Sequence, residues 1–129
     1  MKKMFLLFSH KLTSKQVADA QRQFAVNEFV YLPKDLQNIW SDISPDLKIL
    51  TDLLEPIKQF LNENVAKNDV ILIQGDFGAV YIMVNFCKSL GLKTVYATTK
   101  RMVSEFKNDN GQCVKKSIFE HRRFREYGR

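Results

Sequence analysis

A turn containing two glycines, set between a strand and a helix, is the part of this sequence best suited to chemistry. Val70–Ile73 is apolar and mostly β-branched, which predicts a buried strand, and the apolar residues after Gly78 predict a helix. Such a turn directs backbone N–H groups and the positive end of the helix dipole at a ligand above the sheet. We therefore expect an anion such as a phosphate to bind there. The expected binding residues are Gln74, Gly75, Asp76, Phe77 and Gly78. Asp76 alternatively caps the helix.

Two further polar segments are expected at the same edge of the sheet. Ser9-His10-Lys11 follows the first predicted strand, and Thr98-Thr99-Lys100-Arg101 follows the fourth. Because the carboxyl ends of parallel strands meet at one edge, these segments should converge on the glycine turn. Their hydroxyls, imidazole and cations are suited to holding phosphodiesters. His10 is expected to bind phosphate or to act as a general acid or base, and Lys100 and Arg101 suit phosphate unless they form a solvated face. Further expected ligand-binding residues are Ser9, Lys11, Thr98 and Thr99. His10 alternatively just ends its strand.

Positive charge is concentrated near the carboxyl terminus. The net charge is +6, and residues 100–129 contribute nine Lys/Arg against four Asp/Glu. This asymmetry indicates an anionic partner, although a solubilising tail has the same composition. If residues 119–125 form a helix, His121 and Arg125 share one face of it. From this segment His121, Arg122 and Arg123 are predicted to bind ligand, the alternative being an exposed basic helix.

The remaining pattern predicts one α/β domain over residues 1–129. It is Rossmann-like, with a mostly parallel sheet and helices on both faces. The stripe from Leu47 to Val65 predicts a helix beginning at Ser44-Pro45, and a short helix is expected over 103–107. The predicted strands are 4–8, 29–32, 70–73, 93–98 and a final strand or hairpin arm over 112–119.

Several classes of function are disfavoured by what the sequence lacks. It contains neither GxGxxG nor GxxxxGK[ST], so no dinucleotide cofactor or P-loop is expected. Cys87 and Cys113 are isolated, and no His, Cys, Asp or Glu spacing is typical of a metal site, so we expect no metal and no cofactor. No apolar run is long enough for a membrane span. We expect a cytoplasmic protein with reduced thiols.

Five sequence blocks carry a resemblance to a known family. They are FLLFSHKLT at 5–13, EFVYLP at 28–33, LIQGDFGAVY at 72–81, VYATTKR at 95–101 and KSIFEHRRFR at 116–125. Together they resemble the small CRISPR-associated Csx proteins of type III systems, in particular the subfamily numbered twenty. The resemblance spans residues 4 to about 127, and QGDFGAVY and YATTKR are its most specific parts.

The resemblance implies a CARF-like domain that forms a homodimer and binds a cyclic oligoadenylate second messenger across the two-fold axis. It further implies a ring nuclease that cleaves cyclic tetra-adenylate without a metal. A ribose 2′-OH attacks the neighbouring phosphate, and the product ends in a 2′,3′-cyclic phosphate. Because the substrate supplies the nucleophile, the protein needs only to align it and to stabilise charge. The catalytic residues expected under this mechanism are His10 as general acid or base and Lys100 and Arg101 as charge-stabilising cations.

Two other functions remain open from the sequence. A protein that sequesters the messenger without cutting it would use the same residues. A general nucleic-acid-binding module is supported by the basic carboxyl-terminal segment, but no RRM, KH, OB or helix-turn-helix signature is present. We therefore expect no long nucleic acid and no membrane among the partners.

Overall fold

The computed structural model describes residues 2–129, which fold into one five-stranded sheet and four helices. The strands are β1 (Lys3–Leu7), β2 (Glu28–Tyr31), β3 (Val70–Ile73), β4 (Lys93–Lys107) and β5 (Cys113–Glu126). The helices are α1 (Ser14–Phe24), α2 (Lys34–Ser41), α3 (Thr51–Asn64) and α4 (Phe77–Ser89). No helix of the described part is long and apolar enough to cross a membrane.

The sheet is mostly parallel. Its strand order is β2-β1-β3-β4-β5, and only β5 is antiparallel to its neighbour. Leu7 lies opposite Ile73 and Leu72 opposite Val95, so the loops after β1 and β3 leave the sheet side by side. The direction in which successive strands are added reverses between β1 and β3. In open α/β sheets this reversal opens a crevice at the carboxyl edge.

Helices cover both faces of the sheet, as predicted. α1 packs on one face with Met4, Leu6, Leu72 and Phe124, whereas α2, α3 and α4 cover the other face. The strands buried on both sides are therefore continuously apolar, and β3 has no exposed residue. Thr13 caps α1 in a reciprocal capping box with Gln16.

The prediction for residues 98–107 is wrong. The fourth strand does not end at Thr98, and no helix covers 103–107, because β4 continues to Lys107 and pairs with β5 along its whole length. Asn108–Gly111 forms the turn, as predicted, with the Asn108 side chain accepting two backbone N–H bonds. We call residues 98–107 and 113–123 the arm, since they extend the hairpin past the point where β3 ends.

Residues 119–125 also form a strand rather than a helix, which corrects the predicted face. Arg125 contacts Tyr96 on the α4 side of the sheet, while His121 packs on the α1 side. Arg122 is the extra residue of a bulge between the Thr98–Arg123 and Thr99–His121 pairs. Without this bulge, strand alternation would put His121 and Phe124 on opposite faces; with it, both are buried on the α1 side.

The third helix begins later than predicted. Ser44–Leu47 forms a local turn in which the Ser44 hydroxyl accepts the amide of Asp46, and α3 starts at Thr51. Leu47 therefore lies outside the helix and is 47% exposed. The helix runs through Pro56 without being divided.

Candidate functional site

The glycine turn forms the start of α4, as the sequence predicts. Asp76 is the N-cap, and its Oδ2 accepts the amide of Ala79 at 3.0 Å. The amides of Phe77 and Gly78 have no acceptor within residues 2–129. Two backbone donors at the positive end of a thirteen-residue helix are thus free to bind an anion.

Gln74 holds this turn in place through three contacts. Its amide donates to the Leu7 carbonyl at 3.0 Å, and its side-chain Oε1 accepts the amide of Ala97 at 2.7 Å. Its carbonyl accepts the Trp40 indole N–H at 3.0 Å. A Cβ on Gly75 would lie 3.1 Å from Trp40 Nε1, so glycine permits the close approach. Gln74 and Gly75 therefore shape the turn, which limits their freedom to contact a ligand.

A cleft of about 340 Å³ opens beside the turn on the α4 face. It is lined by Gln74, Gly75, Phe77, Val80, Tyr96 and Tyr127. The rings of Tyr96 and Tyr127 lie 4.8 Å apart, and Tyr127 donates its hydroxyl to the Ile73 carbonyl. Burial, with a smaller contribution from Tyr96, raises the pKa of Tyr127, so this hydroxyl remains a donor. Phe77 is 96% exposed at the mouth of the cleft.

The loop after β1 has the position that the sequence predicts. Ser9, His10 and Lys11 are exposed at the carboxyl edge. The His10 ring packs edge-on against Phe8, with 5.4 Å between centroids. Within residues 2–129 none of these three side chains has a hydrogen bond or ion pair, so the imidazole has no polar group that orients it.

The four predicted residues of β4 do not act as one group. Thr98 is committed to β5, since its hydroxyl donates to the Arg123 carbonyl and accepts the Arg123 amide. Thr99 lies at the bulge, opposite His121. Lys100 and Arg101 project from opposite faces of the arm because consecutive strand residues alternate. Arg101 donates to the hydroxyl of Ser117, on the face of the arm that continues the α1 side of the sheet.

His121 forms a buried pair with Asp19 of α1. His121 Nε2 lies 2.9 Å from Asp19 Oδ2, and both side chains are less than one-tenth exposed. Arg22 bonds the other carboxylate oxygen. Burial raises the pKa of Asp19, but the bonds from His121 and Arg22 outweigh it and hold that pKa below its ordinary value. The ionised Asp19 accepts, so Nε2 carries the proton, while Nδ1 is buried without a partner.

Arg122 and Arg123 lie near this pair and away from the cleft. Arg122 is exposed at the bulge, 4.0 Å from Glu120, and lines a hollow of about 250 Å³ with Lys15 and Arg22. Arg123 lines a larger basic hollow of about 580 Å³ along the outer side of β5, together with Lys93, Arg125 and Arg129. The structure therefore does not bring the three predicted residues His121, Arg122 and Arg123 to the α4-side cleft.

The residues that give the site its shape were not among those predicted from the sequence. Tyr96 and Tyr127 form the wall of the cleft, and Asp19 fixes His121. The tyrosine of YATTKR was a usable signal, because a side chain near the carboxyl edge of a strand lies where ligands of open α/β sheets bind. Asp19 is 102 residues from His121, and no local pattern links them.

Comparison with known proteins gives a family for the whole chain. Residues 2–125 match the model of the Uncharacterized protein MJ1673 family. One curated relative, the Uncharacterized protein MJ1673 of Methanocaldococcus jannaschii, is 50% identical over 127 residues, which is 98% of each chain. No solved structure matches. The chain belongs to the MJ1673 family.

Proposed function

We propose that this protein is a Rossmann-like, CARF-like domain that binds cyclic tetra-adenylate and cleaves it as a metal-independent ring nuclease. The observation that carries the proposal is the aromatic cleft beside two free amides of α4. Adenine stacks on aromatic faces, and phosphates accept hydrogen bonds from helix amides. A ligand that repeats base and phosphate suits both features.

The position of the cleft supports the same ligand class. It lies at the carboxyl edge of β3 on the side of β4, and the reversal of strand order between β1 and β3 lies on the other side of that strand. Ligands of open α/β sheets bind in the crevice at such a reversal, so a ring of four nucleotides would extend from the cleft across β3 towards the β1 loop. The exposed loop Ser9-His10-Lys11 leaves the neighbouring strand at the same edge and adds a hydroxyl, an imidazole and a cation.

The reaction needs little from the protein beyond alignment. The ribose 2′-oxygen attacks the adjacent phosphorus as its proton leaves, the bond from phosphorus to the 5′-oxygen breaks, and that oxygen gains a proton. His10 is the proposed proton carrier, and Lys11, Lys100 and the amides of α4 stabilise the charge that develops on phosphorus. Ser9 and Thr99 bind the ribose or the phosphate. Two copies of this edge in a homodimer match a ring that carries four phosphates.

A protein that binds the ring without cutting it is the second candidate. It is favoured by the lack of any polar contact that orients His10 and by the separation of Lys100 from Arg101 on opposite faces of the arm. General acid–base catalysis requires a positioned group, whereas binding does not. This candidate shares the cleft and differs only in the fate of the ring.

Binding of cyclic tetra-adenylate to two matched variants tests the location. Phe77→Ala removes the exposed aromatic side chain at the cleft; Phe119→Ala removes one that is 67% exposed on the arm. Stacking of one base is worth about 1–3 kcal/mol, so we expect Phe77→Ala to raise Kd roughly 5- to 150-fold. Phe119→Ala should leave Kd unchanged. Wild-type protein that does not bind the ring, or equal binding by Phe77→Ala, would overturn the proposal.

A further inference from the structure

The arm lacks the packing that holds the rest of the sheet. Within residues 2–129, neither hydrophobic cluster includes an arm side chain, and His121 at the base of the arm is its one buried residue. An isolated two-stranded ribbon is at best marginally stable in water. This ribbon nevertheless extends ten residue pairs beyond Ala97, from Thr98–Arg123 to Lys107–Cys113. Its length therefore indicates a surface that supports it.

Exposed apolar side chains lie on both faces of the arm, and the face that continues the α4 side carries the larger set. On that face Met102 lies opposite Ile118, and Phe106 opposite Val114. Three of these side chains are close to half exposed, at 45% for Met102, 49% for Phe106 and 50% for Ile118. Four apolar side chains with Lys116 between the two pairs form a patch of the kind that marks a protein–protein contact.

The arm is positively charged, which favours a partner surface with negative charge. Residues 98–123 contain seven Lys/Arg and three Asp/Glu, a net charge of +4. Lys116, on the face that carries Met102 and Phe106, forms no ion pair within residues 2–129. The partner surface should therefore be acidic and should also expose apolar side chains.

The segment between α2 and α3 has these properties. Residues 42–55 contain four Asp/Glu and one Lys, a net charge of −3. Asp42 and Asp46 form no ion pair in the described part of the chain, while Leu47 is 47% and Ile49 is 65% exposed. The packing of Leu50 3.4 Å from the Cβ position of Gly78 ties this segment to the start of α4, at the carboxyl edge.

We propose that the arm of one copy docks on the 42–55 segment of a second copy, and that the exchange is reciprocal. The apolar side chains of that face cover Leu47 and Ile49, and Lys116, which lies between them on the same face, meets Asp42 and Asp46. A contact of this kind is closed by a two-fold axis, since each copy supplies one arm and one segment. It would bring each arm to the partner's carboxyl edge. This interface rests on the homodimer of the proposed function, and it can be tested independently of ring binding because its test uses no ligand.

A charge exchange tests the interface by sedimentation equilibrium. The arm variant is Lys116→Glu, and the segment variant is Asp42→Lys with Asp46→Lys. Wild-type protein should have twice the chain mass of 15.1 kDa. Each variant alone places like charges across both contacts and should be monomeric. An equimolar mixture restores opposite charges at both contacts and should be a heterodimer.

The control is Lys67→Glu, which changes the net charge as the arm variant does but at the amino edge of the sheet. It should remain a dimer, and circular dichroism should show the same helix content in every variant. Monomeric wild-type protein, variants that dimerise alone, or a mixture that stays monomeric would each overturn the proposal. Monomeric wild-type protein that binds RNA would instead assign the arm to nucleic acid.

Discussion

Removing Asp19 and His121 together should lower the free energy of unfolding by less than the sum of the two single removals. His121→Ala leaves the carboxylate of Asp19, 7% exposed, with only Arg22, whose side chain is 75% exposed. Removing one partner of a buried ion pair lowers the free energy of unfolding by about 3–5 kcal/mol. Because Arg22 still contacts the carboxylate, we expect a smaller loss of about 2–4 kcal/mol for His121→Ala. Asp19→Ala leaves both His121 ring nitrogens without partners and should cost about 1–3 kcal/mol.

The double variant removes both stranded groups at once. Its loss in the free energy of unfolding should be smaller than the sum of the single losses by about 1–2 kcal/mol. Urea unfolding can measure this difference. If the free energy of unfolding falls by about 2 kcal/mol per molar urea, a difference of about 1–2 kcal/mol shifts the unfolding midpoint by about 0.5–1 M. Losses that add to within about 0.5 kcal/mol would refute the reasoning.

The same pair sets a pH dependence. The pKa of Asp19 is lowered in the folded protein, so its stabilising contribution is complete above the ordinary carboxyl value of 3.8 and is lost as the pH falls through the lower folded value. The coupling measured by the double variant should therefore be full at neutral pH and should decline in strong acid. Coupling that already weakens between about pH 7 and pH 5 would show that burial raises the pKa of Asp19 more than its partners lower it, which contradicts the lowered pKa.

Three further predictions concern single side chains at and near the site. Gln74→Leu leaves the amide of Ala97 without an acceptor and should cost about 1–3 kcal/mol in urea unfolding, whereas Gln74→Glu keeps the acceptor; equal losses would contradict this role. Asp76→Ala removes the cap of α4 and should cost about 0.5–2 kcal/mol, while Asp76→Asn should stay near wild type in the same assay. Burial raises the pKa of Cys87 to about 12, so a thiol reagent at neutral pH should label only the exposed Cys113, and mass spectrometry showing both labelled would contradict this.

The elements that could be predicted are those determined by residues close together in the sequence, such as short apolar strands and helix caps. Val70–Ile73 has the bounds expected of it, because a run of four buried apolar residues between turn residues fits only a central strand. Asp76 caps α4, and Thr13 caps α1, because capping is decided within a few residues of the helix start.

The arm was mispredicted because its pattern fits two periods. Val103 and Phe106 have helical spacing, but cross-strand pairing with β5 decides the outcome, and that pairing is not local. The bulge at Arg122 also breaks the alternation between His121 and Phe124, which makes the spacing in that segment resemble a helix. The cleft wall at Tyr127 depends on the return of the last strand and could not be read from neighbouring residues.

Cleavage is tested by incubating the purified protein with cyclic tetra-adenylate in excess EDTA and separating the products by chromatography. We expect the ring to disappear and linear products ending in a 2′,3′-cyclic phosphate to accumulate, more slowly in His10→Ala than in wild type. A ring that remains intact and elutes with the protein would contradict cleavage and would support the second candidate, a protein that binds the ring without cutting it. A ring that is neither bound nor cut would contradict the proposed function as a whole.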